Sequence, residues 1–229
     1  MLVKTRGIVF TFIRYGDSSI IVKVFTEELG LQSYVVNGVR SPKAQSKMAL
    51  FQPLTLLDLV VYHHPGKDLH RLSEHRCAYS FVSIPFDIKK TAIALFLAEF
   101  LTRGLREEGR AAELFSFLDQ SIRILDTQTE HYSNFHLSFL LRLAKFLGFD
   151  PVNSGEIYLQ ILKHTPDKVV AEQEQQAINF FLDQPFGTSC NMSNEMRRDL
   201  LQIILDFYAL HLDHIGTLRS LAVLREVLS

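Results

Sequence analysis

Between Gly7 and Tyr79 the chain breaks into five β-prone runs with turn signals between them, and after Pro85 that pattern stops. The runs are Gly7 to Ile13, Ser19 to Thr26, Gly30 to Val36, Leu54 to His63, and Asp68 to about Tyr79. Tyr15-Gly16-Asp17, Glu27-Glu28-Leu29-Gly30 and His64-Pro65-Gly66-Lys67 supply the breaks. Short strands with turns every eight to twelve residues predict a small barrel or sandwich. One long connection, between the third and fourth runs, fits the five-stranded OB barrel, where a helix or long loop occupies that place. The fourth run is apolar at nearly every position, which predicts a strand buried on both faces.

The long connection carries the most suggestive chemistry. The third run alternates, with Leu31, Ser33 and Val35 on one side and Gln32, Tyr34 and Val36 on the other, and Tyr34 is expected to face outward. Asn37-Gly38 ends it, because both residues tolerate positive φ. Arg40, Lys43 and Lys47 follow around Ser41-Pro42, and no acid lies between Gly30 and Pro53. Three cations on a loop beside an outward tyrosine suit a polyanion such as single-stranded nucleic acid, with cations on phosphates and the ring on a base. An ordinary solvated hairpin loop is the competing reading. The net charge of −1 excludes a uniformly basic nucleic-acid binder, but the charge is uneven. Residues 1–80 carry ten Lys and Arg against six Asp and Glu, while the remainder carries fourteen against nineteen. A basic front and an acidic back suggest two units with different partners.

The back reads as helices. Ile88 to Arg103 is densely apolar, Ala111 to Leu125 places Leu114, Phe115, Leu118, Ile122 and Leu125 at helical spacing, and His131 to Leu147 ends on the C-terminal signal Gly148. Pro151 to Lys168 is weaker in pattern. Further helices are predicted over Glu172 to Leu182, from Ser193 onward, and over Thr217 to Leu228, with Ser193 and Glu195 as cap and acidic first turn. The whole is therefore an α+β multidomain chain, an OB-fold β-barrel over residues 1–80 followed by an all-α helical bundle over residues 81–229.

Enzymatic signatures are missing. There is no Gly-x-Gly-x-x-Gly, no phosphate-binding Gly-x-x-x-x-Gly-Lys-Ser/Thr and no Gly-x-Ser-x-Gly elbow. Glu107-Glu108 are adjacent acids on an expected turn, poorly placed for acid–base work. His63, His64, His70, His75 and Cys77 are the densest possible ligand group, but their spacing matches no zinc pattern. His211 and His214 suit a helix C-terminus. Cys77 and Cys190 form neither a disulfide framework nor a metal clip. No catalytic residue, metal or cofactor is expected. The N-terminus lacks the apolar run of a signal peptide, and the apolar stretches fall short of a membrane span, so a soluble cytoplasmic chain without a membrane partner is expected.

The order of short motifs then resembles a known family. Gly7-Ile-Val, Tyr15-Gly-Asp-Ser-Ser, Phe25-Thr-Glu-Glu-Leu-Gly, Asn37-Gly-Val-Arg-Ser-Pro-Lys, Phe51-Gln-Pro-Leu and Leu69-His-Arg-Leu are similar to the N-terminal OB domain of RecO, the bacterial recombination mediator. Leu140-Leu-Arg-Leu-Ala-Lys-Phe-Leu-Gly-Phe-Asp-Pro and His211-Leu-Asp-His-Ile resemble its helical part. The chain departs from many members in lacking the four cysteines of the zinc-binding insertion, whose place is residues 149–190. The resemblance implies a zinc-less, non-catalytic member at the nucleoid. Such a member binds single- and double-stranded DNA, anneals complementary strands, engages the tail of single-strand-binding protein, and acts with RecR, indirectly aiding RecA. Carried onto this sequence, it implies phosphate contacts by Arg40, Lys43 and Lys47, helped by Arg6, Arg14 and Lys23, with Tyr34 stacking. The acidic tail calls for a basic and apolar dock, with Arg142 and Lys145, or Arg197 and Arg198, as its cations. A module whose barrel binds protein rather than DNA is the alternative.

Overall fold

The computed structural model of the protein describes residues 1–39, 45–105, 112–188 and 190–229. Its front is a closed barrel of β1 (Leu2–Tyr15), β2 (Ser19–Thr26), β3 (Gly30–Val36), β4 (Leu56–Tyr62) and β5 (Leu69–Cys77), in the order β1-β2-β3-β5-β4. β3 and β5 run parallel and the other pairs antiparallel, with a short helix α1 (Gln45–Ala49) between β3 and β4. This is the OB arrangement.

β1 starts five residues earlier than the sequence pattern indicates. Its first half pairs with β4 and its second half with β2. Lys4 and Arg6 take the outward positions there, and that polar alternation hides the strand in the sequence. Val3 packs against the barrel interior, and Thr5 is buried. Gly7 sits where the strand changes partners. A Cβ on it would stand 2.6 Å from Leu59 Cδ1 and 2.7 Å from Val24 Cγ1, inside the packed barrel. Gly7→Ala is therefore expected to destabilise by about 1–3 kcal/mol through overpacking. Urea unfolding measures this, and a midpoint equal to that of the parent would refute it.

A bulge between Val9 and Thr11 leaves Phe10 unpaired, so that Phe10 and Thr11 both stand on the outer side of β1. Leu54 takes a left-handed φ of 64°, and its N–H donates to the Val9 carbonyl at 2.7 Å. β4 thus begins at Leu56, two residues later than the apolar run suggests. Nor is β4 buried on both faces: Leu57, Leu59 and Val61 fill the barrel, whereas Asp58 and Val60 are half-buried on its outside.

Two apolar cores result. One lies inside the barrel, built from Val9, Ile20, Val22, Val24, Tyr34, Leu57 and their neighbours, and closed at one end by Met48, Leu50 and Phe51 around α1. The other begins on the barrel's outer wall, where Leu56, Ile8, Phe25 and Leu31 share one cross-strand row, and continues into the helices. Those helices are α2 (Ile88–Gly104), α3 (Ala112–Thr127), α4 (Phe135–Phe146), α5 (Ser154–His164), α6 (Glu172–Asp183), α7 (Asn194–His211) and α8 (Ser220–Val227). The phenylalanines expected in the core are there, as in the stack of Phe117 on Phe139 and Phe146. The stretch of weaker pattern holds the full helix α5, capped by the Asn153 side chain and packed on α6 and α7. Tyr158 of α5 donates its hydroxyl to Glu174 of α6 at 2.7 Å.

Candidate nucleic-acid interface

Residues paired across strands lie on the same side of a sheet, so the register identifies what the barrel presents to solvent. On the wall formed by β1, β2, β3 and β5, the row nearest the helices is sealed. The next row is Thr11, Lys23, Ser33 and Leu69, and the one beyond it is Ile13, Ile21, Val35 and Arg71. Both rows face away from the interior residues Val22, Val24, Tyr34 and Leu72. Ile13 is 61% exposed, and Tyr15 at the strand end 50%. No Asp or Glu stands on either row. Strand spacing puts Lys23 and Arg71 roughly 10–12 Å apart on this surface.

This wall is the one OB barrels use for oligonucleotides, with the β1–β2 and β4–β5 turns at its edges. Exposed apolar and aromatic groups offer flat contacts to bases, and interspersed cations offer contacts to phosphates. Below the surface, His70 bridges the two layers: its Nε2 meets Gln32 Oε1 at 2.9 Å, its Nδ1 accepts the His64 N–H at 3.4 Å, and its ring lies 4.6 Å from that of His63. Burial, with His63 and His64 adding to it, holds the His70 imidazole below its ordinary pKa, so it is neutral at physiological pH.

The opposite wall differs. Its rows are Lys4, Val60 and Glu74, then Arg6, Asp58 and Arg76. These residues line a groove of about 510 Å³ together with Glu27 and Glu28. Arg6 grips Glu27 with two hydrogen bonds, 2.7 and 2.8 Å, and its guanidinium lies 4.9 Å from the Phe115 ring centre. Arg76 pairs with Asp58 at 3.0 Å. Alternating signs of this kind repel a polyanion as much as they attract it.

The cations expected at the interface are thus distributed unevenly. Lys23 is on the acid-free wall. Arg14 is exposed at the end of β1, opposite Ile20. Arg6 is on the other wall, and its charge is committed to Glu27. Lys47 lies on α1 beside His75, whose imidazole is held low first by burial and then by the Lys47 charge. His75 is four residues from Arg71 along β5, or about 13 Å, so Lys47 does not join Lys23. Arg40 and Lys43 lie outside the described residues. The tyrosine expectation is overturned: Tyr34 is 0% exposed, inside the barrel, and its phenol is pushed upward by burial. Its alternation was read correctly but assigned to the wrong side, because Leu31 and Val35 are apolar as well. A buried ring cannot stack on a base.

Arg71, Ile13 and Tyr15 were not singled out by the sequence. Ile13 closes an apolar run that looks like core, and Arg71 is one cation among ten until the parallel β3–β5 pairing sets it beside Val35. On the helical side, Arg142 and Lys145 line a groove of about 440 Å³ with Phe117, Phe146 and the turn from Asp183 to Phe186. Lys145 is exposed, whereas Arg142 also donates to the carbonyls of Phe181 and Gln184, 3.3 and 2.5 Å. Arg197 is half-buried and tethers Asn134 and Asn194, each at 2.7 Å, and the Leu228 carbonyl at 3.0 Å. These donors tie the start of α7 to the Asn134 turn and to the end of α8, so Arg197 is a brace, whereas its neighbour Arg198 is exposed.

Comparison with known proteins agrees with this architecture. The family described as Recombination protein O N terminal matches residues 1–81, and Recombination protein O C terminal matches residues 85–155. The chain is similar to the DNA repair protein RecO of Phocaeicola vulgatus, 38% identical over 244 residues and covering 100% of both chains. It is similar to the DNA repair protein RecO of Bacteroides fragilis, 39% identical over 245 residues and 99% of each. The corresponding protein of Flavobacterium psychrophilum is 34% identical over 239 residues and 100% of each.

Proposed function

The chain belongs to the RecO family, and on that premise we propose that it is a non-catalytic mediator of recombinational DNA repair that binds and anneals DNA on its barrel. The observation that carries this reading is the pair of acid-free rows on the β1–β2–β3–β5 wall, where Ile13, Leu69 and Arg71 are exposed and Lys23, Ile21 and Val35 are half-buried between them. Contacts made to phosphates leave base edges free, so two complementary strands held there can still pair. Arg14, together with Arg40 and Lys43 of the sequence that follows β3, would add phosphate contacts. Single strands are the primary substrate; duplex binding follows from the same backbone contacts.

In this reading the chain works in the cytoplasm at the nucleoid, acts with RecR, and helps RecA onto DNA coated by single-strand-binding protein. The acidic tail of that protein is assigned to the groove at Phe117, Arg142, Lys145 and Phe146, where apolar rings and an exposed cation occur together. The charge-mixed β1–β4–β5 wall favours a protein contact, and it supports the second reading, a barrel that binds a protein partner instead of DNA.

Fluorescence annealing of complementary oligonucleotides at two salt concentrations, with and without single-strand-binding protein, separates the readings. Acceleration that fades with salt is expected. For single-strand binding, Lys23→Ala with Arg71→Ala should reduce the log–log salt slope by about 1.4, two phosphates at ~0.7 each. An unchanged slope moves the DNA site off this wall. No acceleration in any condition, alongside a stable complex with RecR, favours the protein-binding barrel.

A further inference from the structure

A crevice between α4, α7 and α8 has a chemistry that the DNA-binding reading does not use. Its volume is about 10 Å³, room for roughly one water-sized body. The polar lining is His136, Asn194, Arg197, Arg198 and Arg225, and the rest is leucine. No carboxylate lines it. Among the described residues, none of the three arginines takes part in an ion pair.

Its donors are also incompletely used. His136 is 1% exposed, and neither ring nitrogen has a hydrogen-bond partner among the described residues. The same holds for Arg225 Nε, although Arg225 Nη2 donates to Gln202 at 2.9 Å. A neutral imidazole carries one N–H donor, so two buried N–H groups meet a space hemmed by three guanidinium charges. Leaving a buried donor unsatisfied disfavours the native state, and like charges held together without a counter-ion add to that. Asn194 begins α7, whose N-terminal end is itself electropositive.

We propose that this crevice is a binding site for one small anion, a halide ion or the single oxygen of a carboxylate, held by Arg225 Nε–H and the His136 ring N–H in the field of Arg197, Arg198 and Arg225. The bound anion joins α8 to α4 and α7. Such a site acts on stability, because a ligand that binds only the native state raises the melting temperature with its concentration.

The test is thermal unfolding of the full chain at constant ionic strength, with methanesulfonate, whose head group is too large for the crevice, as the reference anion and chloride or acetate exchanged for it. A rise of roughly 3–6 °C is expected at about ten times the dissociation constant. A rise in chloride alone identifies a buried halide site; a rise in acetate as well identifies a carboxylate-oxygen site. General salt effects persist in variants, whereas the specific rise must disappear in Arg225→Gln and shrink in Arg198→Gln. Arg198 is exposed at the rim, so its variant keeps the test valid if Arg225→Gln does not fold. Chloride-35 line broadening by the parent protein, lost in the variants, is the direct readout. Equal melting temperatures in all three anions, with no line broadening, would overturn the proposal and leave a water in the crevice. A rise retained in both variants would equally overturn it.

Discussion

Asp126→Asn is expected to cost the fold about 3–5 kcal/mol, the range for removing one charged member of a buried polar cluster. Asp126 is 1% exposed at the end of α3. Its carboxylate accepts the N–H groups of Val82, Ser83 and Ile84 at 2.8–2.9 Å and the Tyr79 hydroxyl at 3.0 Å. Its backbone carbonyl takes the Lys90 ammonium at 3.0 Å and the Ser83 hydroxyl. These partners are the segment that leaves the barrel and enters α2, so one side chain fixes how the two parts of the chain join. Burial alone would raise this carboxyl's pKa, but the N–H groups of Ile84, Val82 and Ser83 outweigh it and hold it below the usual range. A native pKa below the unfolded one means that the stabilisation is present above about pH 4 and is lost as pH falls through the native value. Asparagine keeps one acceptor and turns an amide NH₂ toward backbone donors. Urea or thermal unfolding followed by circular dichroism measures the loss, expected as a fall of roughly 10 °C for a chain of this size. A fall under about 3 °C would show that the cluster does not hold the junction. Tyr79→Phe, which removes only the hydroxyl bond, should cost about 1 kcal/mol.

A second large effect concerns pH. Burial first, and the Arg197 charge next, push the His136 imidazole down to about 3. In the unfolded chain it titrates near 6.5. Between those values the unfolded state binds a proton that the native state does not, so stability falls as pH falls across that window. The slope from this one group is about 1.4 kcal/mol per pH unit, or roughly 2–3 kcal/mol between pH 6.5 and 4.5. His70, His75 and His211 are also held low by burial and act in the same direction. His136→Leu should remove one proton's share of the slope without altering the others. Unfolding in chloride-free buffer at several pH values checks this, and a variant with the parent's full pH dependence would refute it.

β2 and β3 run over the residues their periodicity predicts, because their inward side chains are for the most part apolar, Gln32 being an exception, and turn residues bracket them. β1 was legible only in its apolar second half, since Lys4 and Arg6 interrupt the first. α5 was faint because Ile157, Tyr158 and Ile161 are few and polar residues separate them; packing on α6 and α7 supplies what local pattern does not. Less of the interface was readable. Lys23, expected among the phosphate contacts, lies on the outer wall, yet Arg71 on the same wall was not singled out. Tyr34 was assigned to the surface, because in a strand with apolar residues on both sides no local signal says which side faces in.

The amino-acid sequence by itself determined the fold class, the strand and helix order, the uneven distribution of charge and the family. The first three depend on turn chemistry, hydrophobic period and composition, which act over a few residues and survive without tertiary contacts, and the family on the order of short motifs along the chain. Only the tertiary structure decided which side of each strand is buried, which cations share an acid-free wall, and which are spent on partners such as Glu27, Asn134 or Phe181. The reason is physical. Closing the barrel brings residues from β1, β2, β3 and β5 into one row, and docking the helices covers the row nearest to them. Neither event leaves a mark within any single stretch of the chain.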